Sequence, residues 1–108
     1  MQNLNNNDLL KALGTMIVRF KSFGPIRRHL KRQVMEVEVP DGSTVRQIIE
    51  KVAELGGKAL QDLILRNGDI DGNLIIMLNK KDVSTIGGVE ISVTEGDEVA
   101  LLPHVQGG

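Results

Sequence analysis

The alternation of apolar and polar residues predicts two strands near the start of the chain. The segment from Thr15 to Phe23 alternates, with Met16, Val18 and Phe20 on one face and Ile17, Arg19 and Lys21 on the other, and this period of two is typical of a half-buried strand. The pattern returns from Gln33 to Val39, with its apolar residues turned inward. If the two strands pair antiparallel, the sequence predicts that basic residues face acidic ones across the pair: Arg19 and Lys21 opposite Glu36 and Glu38.

A change to helical spacing follows the turn Pro40-Asp41-Gly42. Thr44 is a good N-cap, and Gln47 three residues later completes a capping box. The apolar residues then recur on one helical face: Val45, Ile48, Ile49, Val52 and Ala53. Gly56-Gly57 ends this main helix, and a shorter helix is predicted over Lys58–Leu65, with Asn67-Gly68 as its left-handed cap.

Three further strands complete the predicted domain. Leu74–Leu78 is a continuous apolar run, the pattern of a central strand covered on both faces. Asp82–Ile86 is predicted as a short return strand, and Glu98–Leu102 as the last strand, closed by Pro103. The order therefore predicts an α+β domain in which one main helix packs on one face of a mixed sheet. This is the order of the β-grasp, or ubiquitin-like, fold.

Length and composition fit one small domain. The chain has 108 residues, two aromatic residues and no cysteine, which excludes disulfides, thiolate metal sites and a cysteine nucleophile. It has no continuous apolar segment of the roughly 18–20 residues that a membrane span needs and no basic start followed by an apolar stretch, so a cytoplasmic protein without membrane contact is expected. We predict a flexible extension over residues 1–14, the domain over 15–103 and a flexible tail over 104–108 that ends in Gly-Gly.

The Asn-rich start of the chain leaves two interpretations open. Residues 1–14 are either a disordered extension with a short helical turn at Asp8–Leu13, or they precede a natural translation start at Met16. Six residues are too few for a stable isolated helix, which favours a disordered or marginal extension in either case.

Charge is distributed unevenly along the chain. Residues 1–35 carry seven Lys or Arg and one acid, whereas residues 36–108 carry six Lys or Arg and thirteen acids. Much of the basic excess lies in the run Arg27–Arg32, which could bind phosphates. A solvated loop between strands is the favoured interpretation, because single-strand nucleic-acid binders usually interleave such charge with stacking aromatic residues.

Other candidate sites in the sequence are weaker. His29 and His104 lack a second ligand at metal-binding spacing, so no metal site is expected. The remaining glycines match turns rather than a phosphate-binding loop. Ile17, Val34 and Leu102 point away from the predicted core by the alternation of their strands and are either a partner face or scattered surface residues.

Two segments carry a resemblance to a known family. Asp41-Gly42-Ser43 followed by Thr44–Ile49 resembles the first helix of the molybdopterin synthase small subunit. Ile86-Gly87-Gly88, then Glu95–Pro103 running into His104-Val105-Gln106-Gly107-Gly108, is similar to the end of that subunit, of thiamine-pathway sulfur carriers and of archaeal ubiquitin-like small modifiers. The resemblance covers Thr15 to Gly108, although His104 stands where the family often has a second proline.

The resemblance implies a covalent carrier protein rather than an enzyme. A ubiquitin-activating-like adenylyltransferase would use ATP to adenylate Gly108, and a sulfur donor enzyme would convert the adenylate to a thiocarboxylate. The sulfur would pass to the molybdopterin synthase large subunit or another acceptor, in molybdenum or tungsten cofactor synthesis. Four residues would thread Gly108 into the partner's active site: Gly107, Gln106, Val105 and His104. The chain itself would bind no cofactor and supply no catalytic residue.

Two other functions stay open at this point. The chain could be a protein modifier joined to target lysines through Gly108, with a further role in tRNA thiolation. Alternatively, it could be a noncovalent RNA- or partner-binding module that uses Arg27–Arg32, although nucleic acid is the disfavoured partner.

Overall fold

The structure is a computed structural model that describes residues 5–103. The helices are α1 (Asn6–Ala12), α2 (Gly24–Arg27), α3 (Val45–Gly56) and α4 (Lys58–Ile64). The strands are β1 (Thr15–Ser22), β2 (Val34–Pro40), β3 (Leu65–Arg66), β4 (Asp69–Ile70), β5 (Leu74–Leu78), β6 (Lys81–Asp82) and β7 (Glu98–Pro103), with a 3₁₀ turn at Val83–Thr85. Among these residues, no helix is long and apolar enough to cross a membrane.

Five of the strands form one mixed sheet in the order β2-β1-β7-β5-β6. β1 pairs antiparallel with β2 and parallel with β7, and β7 pairs antiparallel with β5. The last strand of the chain therefore lies in the middle of the sheet. This is the β-grasp arrangement that the order of the predicted elements indicates.

The core lies between one face of the sheet and α3. The helix begins where the sequence predicts, because Thr44 Oγ1 accepts a hydrogen bond from Gln47 N at 3.2 Å and Gln47 Oε1 accepts one from Thr44 N at 2.9 Å. All five apolar residues of the predicted helical face are buried. They pack with the inward residues of the strands, which include Val18, Phe20, Val99 and Leu101. We call the sheet face that carries this core the inner face.

The pairing of β1 with β2 corrects one prediction. Arg19 lies opposite Glu36 as expected, but Lys21 lies opposite Val34, and Glu38 lies opposite Ile17. The ion pair of Arg19 is with Glu98 on β7, at 3.8 Å. The register depends on the length of the connection between the strands, which includes the single turn of α2, so alternation alone does not determine it.

Three local predictions also change. Asn67 and Gly68, with φ of 55° and 80°, form the two-residue turn between β3 and β4 rather than a helix cap. Residues 83–85 form the 3₁₀ turn after β6, so the predicted strand Asp82–Ile86 is wrong beyond its first residue. β5 is covered on one face only, since Ile76 and Leu78 are buried while Ile75 and Met77 are half-buried on the other side.

A helix occupies part of the segment predicted as a flexible extension. α1 begins after Asn5, whose side-chain oxygen accepts a hydrogen bond from Asp8 N at 2.8 Å. α1 contacts β1, and Gly14 O accepts a hydrogen bond from Asp41 N at 2.9 Å. The segment therefore contains more regular structure than its sequence indicates, and the domain boundaries at residues 14 and 103 stay predictions.

Candidate functional site

The end of β7 determines where the chain leaves the domain. Pro103 lies opposite Leu74 at the start of β5, on the strand held between β1 and β5. Its ring also packs over Gly24, where a Cβ atom would lie 3.3 Å from Pro103 Cγ. Gly24 has φ of 59°, so both its backbone angle and the space around it favour glycine. The exit point is thus fixed at the C-terminal end of the central strand of the sheet.

The predicted covalent site and its tail lie beyond this point. Gly108, Gly107, Gln106, Val105 and His104 are outside the described residues. The three residues predicted as a partner face are all described: Val34 is exposed, and Ile17 and Leu102 are partly buried.

The beginning of β7 is held by a network around Asp97. Its carboxylate accepts hydrogen bonds from Thr94 N at 2.8 Å and from Asn79 Nδ2 at 3.0 Å. Asn79 Oδ1 in turn accepts one from Glu98 N at 2.9 Å. Burial opposes ionisation and is the largest single influence on Asp97, but the hydrogen bonds from Asn79 and Thr94 together lower the pKa of Asp97. The motif Glu95-Gly96-Asp97-Glu98 therefore anchors the strand that carries the tail.

The outer face of the sheet carries an apolar cluster beside the exit point. Leu102 pairs with Ile75 and Ala100 pairs with Met77, so the four side chains lie side by side on the face opposite α3. We call Ile75, Met77, Ala100 and Leu102 the outer patch. Sequence analysis found only Leu102 of this group. The apolar run of β5 contains the signal for Ile75 and Met77, but a continuous run of this kind predicts a strand covered on both faces.

Basic and apolar residues continue the outer patch toward β2. Lys21 lies beside Ala100 on β1, and its Nζ lies 5.2 Å from the centre of the Phe23 ring. Val34, which is 40% exposed, lies on the far side of Lys21. The structure thus brings Leu102 and Val34 to the same end of the outer face.

Ile17 lies at the opposite end of that face. Ile17 N donates a hydrogen bond to Glu95 Oε2 at 2.9 Å, and the side chain lines a shallow depression with Arg19, Glu36 and Glu95. Ile17 lies about 20 Å from Leu102 along the strand direction, since each two residues of a strand span about 6.7 Å. Arg19 and Lys21 occupy the same face of β1 between them. The predicted partner face is therefore divided between two environments, and its role stays a prediction.

The basic run forms a loop between β1 and β2. α2 includes Arg27, whose Nη1 donates a hydrogen bond to Leu30 O at 2.9 Å. Within residues 5–103, no ion pair involves Arg28, Lys31 or Arg32. The same residues contain no group of three or more His, Cys, Asp or Glu side chains that could hold a metal ion. His29 is exposed at the rim of a groove beside this loop.

The described surface around Pro103 has features that are typical of a protein-binding surface. It includes the outer patch, the ammonium group of Lys21 and the fixed position of Pro103. Apolar clusters on a surface are a common mark of protein interfaces.

Comparison with known proteins gives a family match and a named relative. Residues 21–108 match the ThiS family. An Archaeoglobus fulgidus protein named "Putative sulfur carrier protein" is 35% identical over 65 residues, which cover 60% of this chain and 74% of that relative.

Two solved structures have the same fold. The small archaeal modifier protein 1 of Methanosarcina acetivorans matches with a TM-score of 0.75 at 22% identity, over 87% of this chain and 98% of that one. A Pyrococcus furiosus protein named "Putative molybdopterin converting factor, subunit 1" matches with a TM-score of 0.66 at 23% identity, over 83% and 99%.

Proposed function

The chain belongs to the ThiS family, and on this basis we propose that it is a sulfur carrier whose Gly108 is adenylated and then converted to a thiocarboxylate. The observation that carries the proposal is the extent of the family match, which runs from residue 21 through the Gly-Gly pair to residue 108. The sulfur-carrier name of the Archaeoglobus relative supports the same function.

The chemistry explains why a carrier of this kind needs activation. A carboxylate is a poor electrophile, because its charge repels nucleophiles and oxide is a poor leaving group. Attack of the Gly108 carboxylate on the α-phosphorus of ATP would release pyrophosphate and give an acyl-adenylate. Hydrosulfide supplied by a donor enzyme would then attack the acyl carbon, and AMP would leave with the anhydride oxygen, so that a thiocarboxylate remains on the terminus and one proton is released. Since the chain has no cysteine, it cannot carry the sulfur as a persulfide of its own.

The domain would contribute position and reach to this reaction. Five residues separate Pro103 from the terminal carboxylate, and a fully extended chain spans at most about 3.6 Å per residue, or about 18 Å in total. The nucleotide site of the activating enzyme must therefore lie within about 18 Å of the edge of the sheet at Pro103. Glycine at the last two positions suits a narrow channel, because it has no side chain and accepts a wide range of backbone angles.

The outer patch is the surface that we propose for docking these partners. It adjoins the exit point, so a protein bound there would also be close enough to receive the tail. The adenylyltransferase and the sulfur acceptor would compete for this patch, since both must take up Gly108. Such exchange favours a chain that is monomeric when free.

The acceptor that we propose is a pterin precursor, with the chain as the small subunit of molybdopterin synthase in molybdenum or tungsten cofactor synthesis. The name of the Pyrococcus protein supports this choice. A second candidate, conjugation of Gly108 to lysines of other proteins, has the support of the Methanosarcina modifier. Both likenesses concern the fold, so the acceptor has to be determined by experiment.

Intact-mass measurement tests the proposal directly. The full chain is incubated with ATP, the adenylyltransferase of the same organism and a sulfur donor. We expect a mass increase equal to replacement of one oxygen by sulfur, located on Gly108 by fragmentation. Deletion of Gly107-Gly108 should abolish the increase. Gly72→Ala is a matched control, because an added Cβ meets no atom within 4 Å there and the residue lacks a left-handed φ.

Two results would contradict the sulfur-carrier proposal. Lysine-linked remnants of Gly108 on other proteins, without any thiocarboxylate, would identify a modifier. Function that survives loss of Gly107-Gly108 in cells but is lost when Arg27, Arg28, Lys31 and Arg32 are neutralised would identify a noncovalent binding module.

A further inference from the structure

A groove with an apolar floor lies between the basic loop and the C-terminal end of α3. Its volume is about 390 Å³. Seven residues line it: His29, Leu30, Lys31, Arg32, Met35, Leu55 and Gly56. The loop, β2 and α3 therefore each contribute to one concave surface, and neither the proposed sulfur transfer nor the outer patch uses it.

The floor of this groove includes an exposed apolar side chain of α3, Leu55. Leu55 is 58% exposed, although the apolar face of the same helix is otherwise buried in the core. Leu30 is almost fully buried beneath the groove and Met35 is half-buried at its side. A large apolar side chain placed here would remove Leu55 from water, and such burial contributes about 25 cal/mol per Å².

The rim of the groove is positively charged and its charges are available. Lys31 and Arg32 are exposed, and neither forms an ion pair with any of residues 5–103. The arginines outside this loop, Arg19, Arg46 and Arg66, each form an ion pair. Lys31 and Arg32 can therefore pair with the carboxylates of an acidic ligand whose apolar part lies on the floor of the groove.

We propose that this groove binds an acidic segment of a partner protein that carries a large apolar side chain. The apolar side chain would lie against Leu30, Met35 and Leu55, and neighbouring carboxylates would reach Lys31 and Arg32. Charge complementarity and the apolar floor together favour this occupant over RNA. The residues that line the groove include no Phe, Tyr or Trp, the side chains on which bases stack most strongly.

The groove lies at the same end of the sheet as the exit point. β1 and β7 run parallel and both end there, and β2 begins there opposite Lys21. The loop that borders the groove starts at Gly24, against Pro103. A partner whose acidic segment lies in the groove would therefore also be close to Pro103, where the chain leaves the sheet. Binding in the groove does not depend on sulfur transfer and goes beyond the proposed function.

A titration with a defined peptide tests this site. The ¹⁵N-labelled full chain is titrated with the peptide Glu-Asp-Glu-Leu-Leu-Glu-Asp-Glu, and the amide shifts of the groove residues are followed. We expect saturable shifts at Lys31, Arg32 and Leu55. The double variant Lys31→Glu/Arg32→Glu and the single variant Leu55→Ser should each weaken binding about tenfold, because the first reverses the rim charge and the second removes apolar contact.

Matched controls separate the groove from general charge effects. Lys11→Glu/Lys81→Glu changes the net charge by the same amount away from the groove, on α1 and β6, and should leave the affinity unchanged. A peptide with both leucines replaced by serine should bind about tenfold more weakly.

Several results would overturn the proposal. These are shifts confined to other surfaces, equal losses in the two charge-reversal variants, or equal binding of the serine peptide. Shifts at the groove with oligouridylate but not with the peptide would assign the site to RNA instead. Sulfur loading of Gly108 is measured separately by intact mass, so failure of the peptide to bind leaves the sulfur-carrier proposal standing.

Discussion

At the scale of single residues, Gly24 and Pro103 determine how the chain leaves the sheet. The two lie in contact although 79 positions apart, and Gly24 has a left-handed φ of 59°. An L-residue in this conformation is strained, and an added methyl group would meet the ring of Pro103 at 3.3 Å. The position of Pro103 therefore depends on the absence of a side chain at a residue far away in sequence.

Replacement of Gly24 should destabilise the domain. We expect Gly24→Ala to lower the free energy of unfolding by about 1–2 kcal/mol, the usual cost of left-handed backbone in an L-residue. Gly72→Ala, where there is space and no left-handed φ, should change the free energy by less than about 0.5 kcal/mol. Urea unfolding followed by circular dichroism measures both. An equal effect of the two substitutions would contradict the role of Gly24.

Asp97 makes the stability of the domain depend on pH. Hydrogen bonds lower the pKa of Asp97 in the folded state against the opposing effect of burial. A carboxyl group with a lowered pKa stabilises the fold above its ordinary pKa of about 3.9, and this contribution is lost as the pH falls through the lower, folded-state pKa. The free energy of unfolding should therefore decrease between about pH 5 and pH 3.

The comparison with Asp97→Asn isolates this contribution. The variant should be less stable than the wild type at pH 7, and its stability should fall less steeply toward pH 3. Asp69 and Asp82 also have lowered pKa values and remain in both proteins, so the difference between the two urea-unfolding profiles reports Asp97. Parallel profiles would show that its hydrogen bonds contribute nothing at the start of β7.

At the scale of elements, the best predicted features are those that depend on neighbours in sequence. The capping box at Thr44 and Gln47 formed as expected, because all its groups lie within four residues. The alternation in β1 also predicted its buried face. The pairing partner of Lys21 and the exposure of Ile75 depend on which strands and helices pack beside them from distant parts of the chain. The sequence-based predictions of these two features are wrong because periodicity describes one element and not its neighbours.

The N-cap of α3 should contribute measurably to stability. We expect Thr44→Ala to lower the free energy of unfolding by about 1 kcal/mol, because the amide of Gln47 loses its side-chain acceptor. Thr44→Ser keeps the hydroxyl and should have a smaller effect. Urea unfolding at neutral pH distinguishes the two, and an equal loss in both variants would mean that the methyl group of Thr44, rather than its hydroxyl, matters.

The outer patch should matter for partner binding more than for folding. Ile75→Ser/Met77→Ser removes two half-buried side chains from β5, and we expect affinity for the adenylyltransferase to fall about tenfold or more. Ile17→Ser, in the acidic depression at the other end, should have little effect. Surface plasmon resonance measures the affinities, and circular dichroism confirms that each variant is folded. A larger loss for Ile17→Ser would move the docking surface to that end.

Of the candidate site, only the proposed covalent part has a linear signal in the sequence, and it stays a prediction. Gly107-Gly108 and the strand before it are contiguous, so a linear motif identifies them. The outer patch combines β5 with β7, whose paired residues lie about 25 positions apart, and the groove combines a loop with the end of α3. Surfaces of this kind exist only after the sheet has its strand order, and no local pattern reports them.

At the scale of the whole molecule, the strands differ in how firmly they are held. β1 and β7 are paired on both sides and adjoin the core, whereas β6 is a two-residue strand at the edge of the sheet. The amide protons that exchange most slowly are those whose hydrogen bonds break only when the whole domain unfolds. The strand that carries the tail therefore belongs to the most stable part of the fold.

Hydrogen exchange should reproduce this ranking. We expect the slowest amide exchange in β1 and β7 and much faster exchange in α1 and β6, measured by two-dimensional NMR at neutral pH. Gly24→Ala should accelerate exchange in β7 in proportion to its loss of stability. Exchange in β7 as fast as in β6 would mean that the end of the last strand opens independently of the core.

The central position of β7 also has a consequence for synthesis of the protein on the ribosome. β1 is made early, but its parallel neighbour is among the last segments to emerge, and β5 meets the rest of the sheet only through β7. The sheet therefore cannot be completed until translation has passed Pro103. We therefore expect a nascent or truncated chain that lacks this strand to leave the sheet incomplete and to be cleared by proteases.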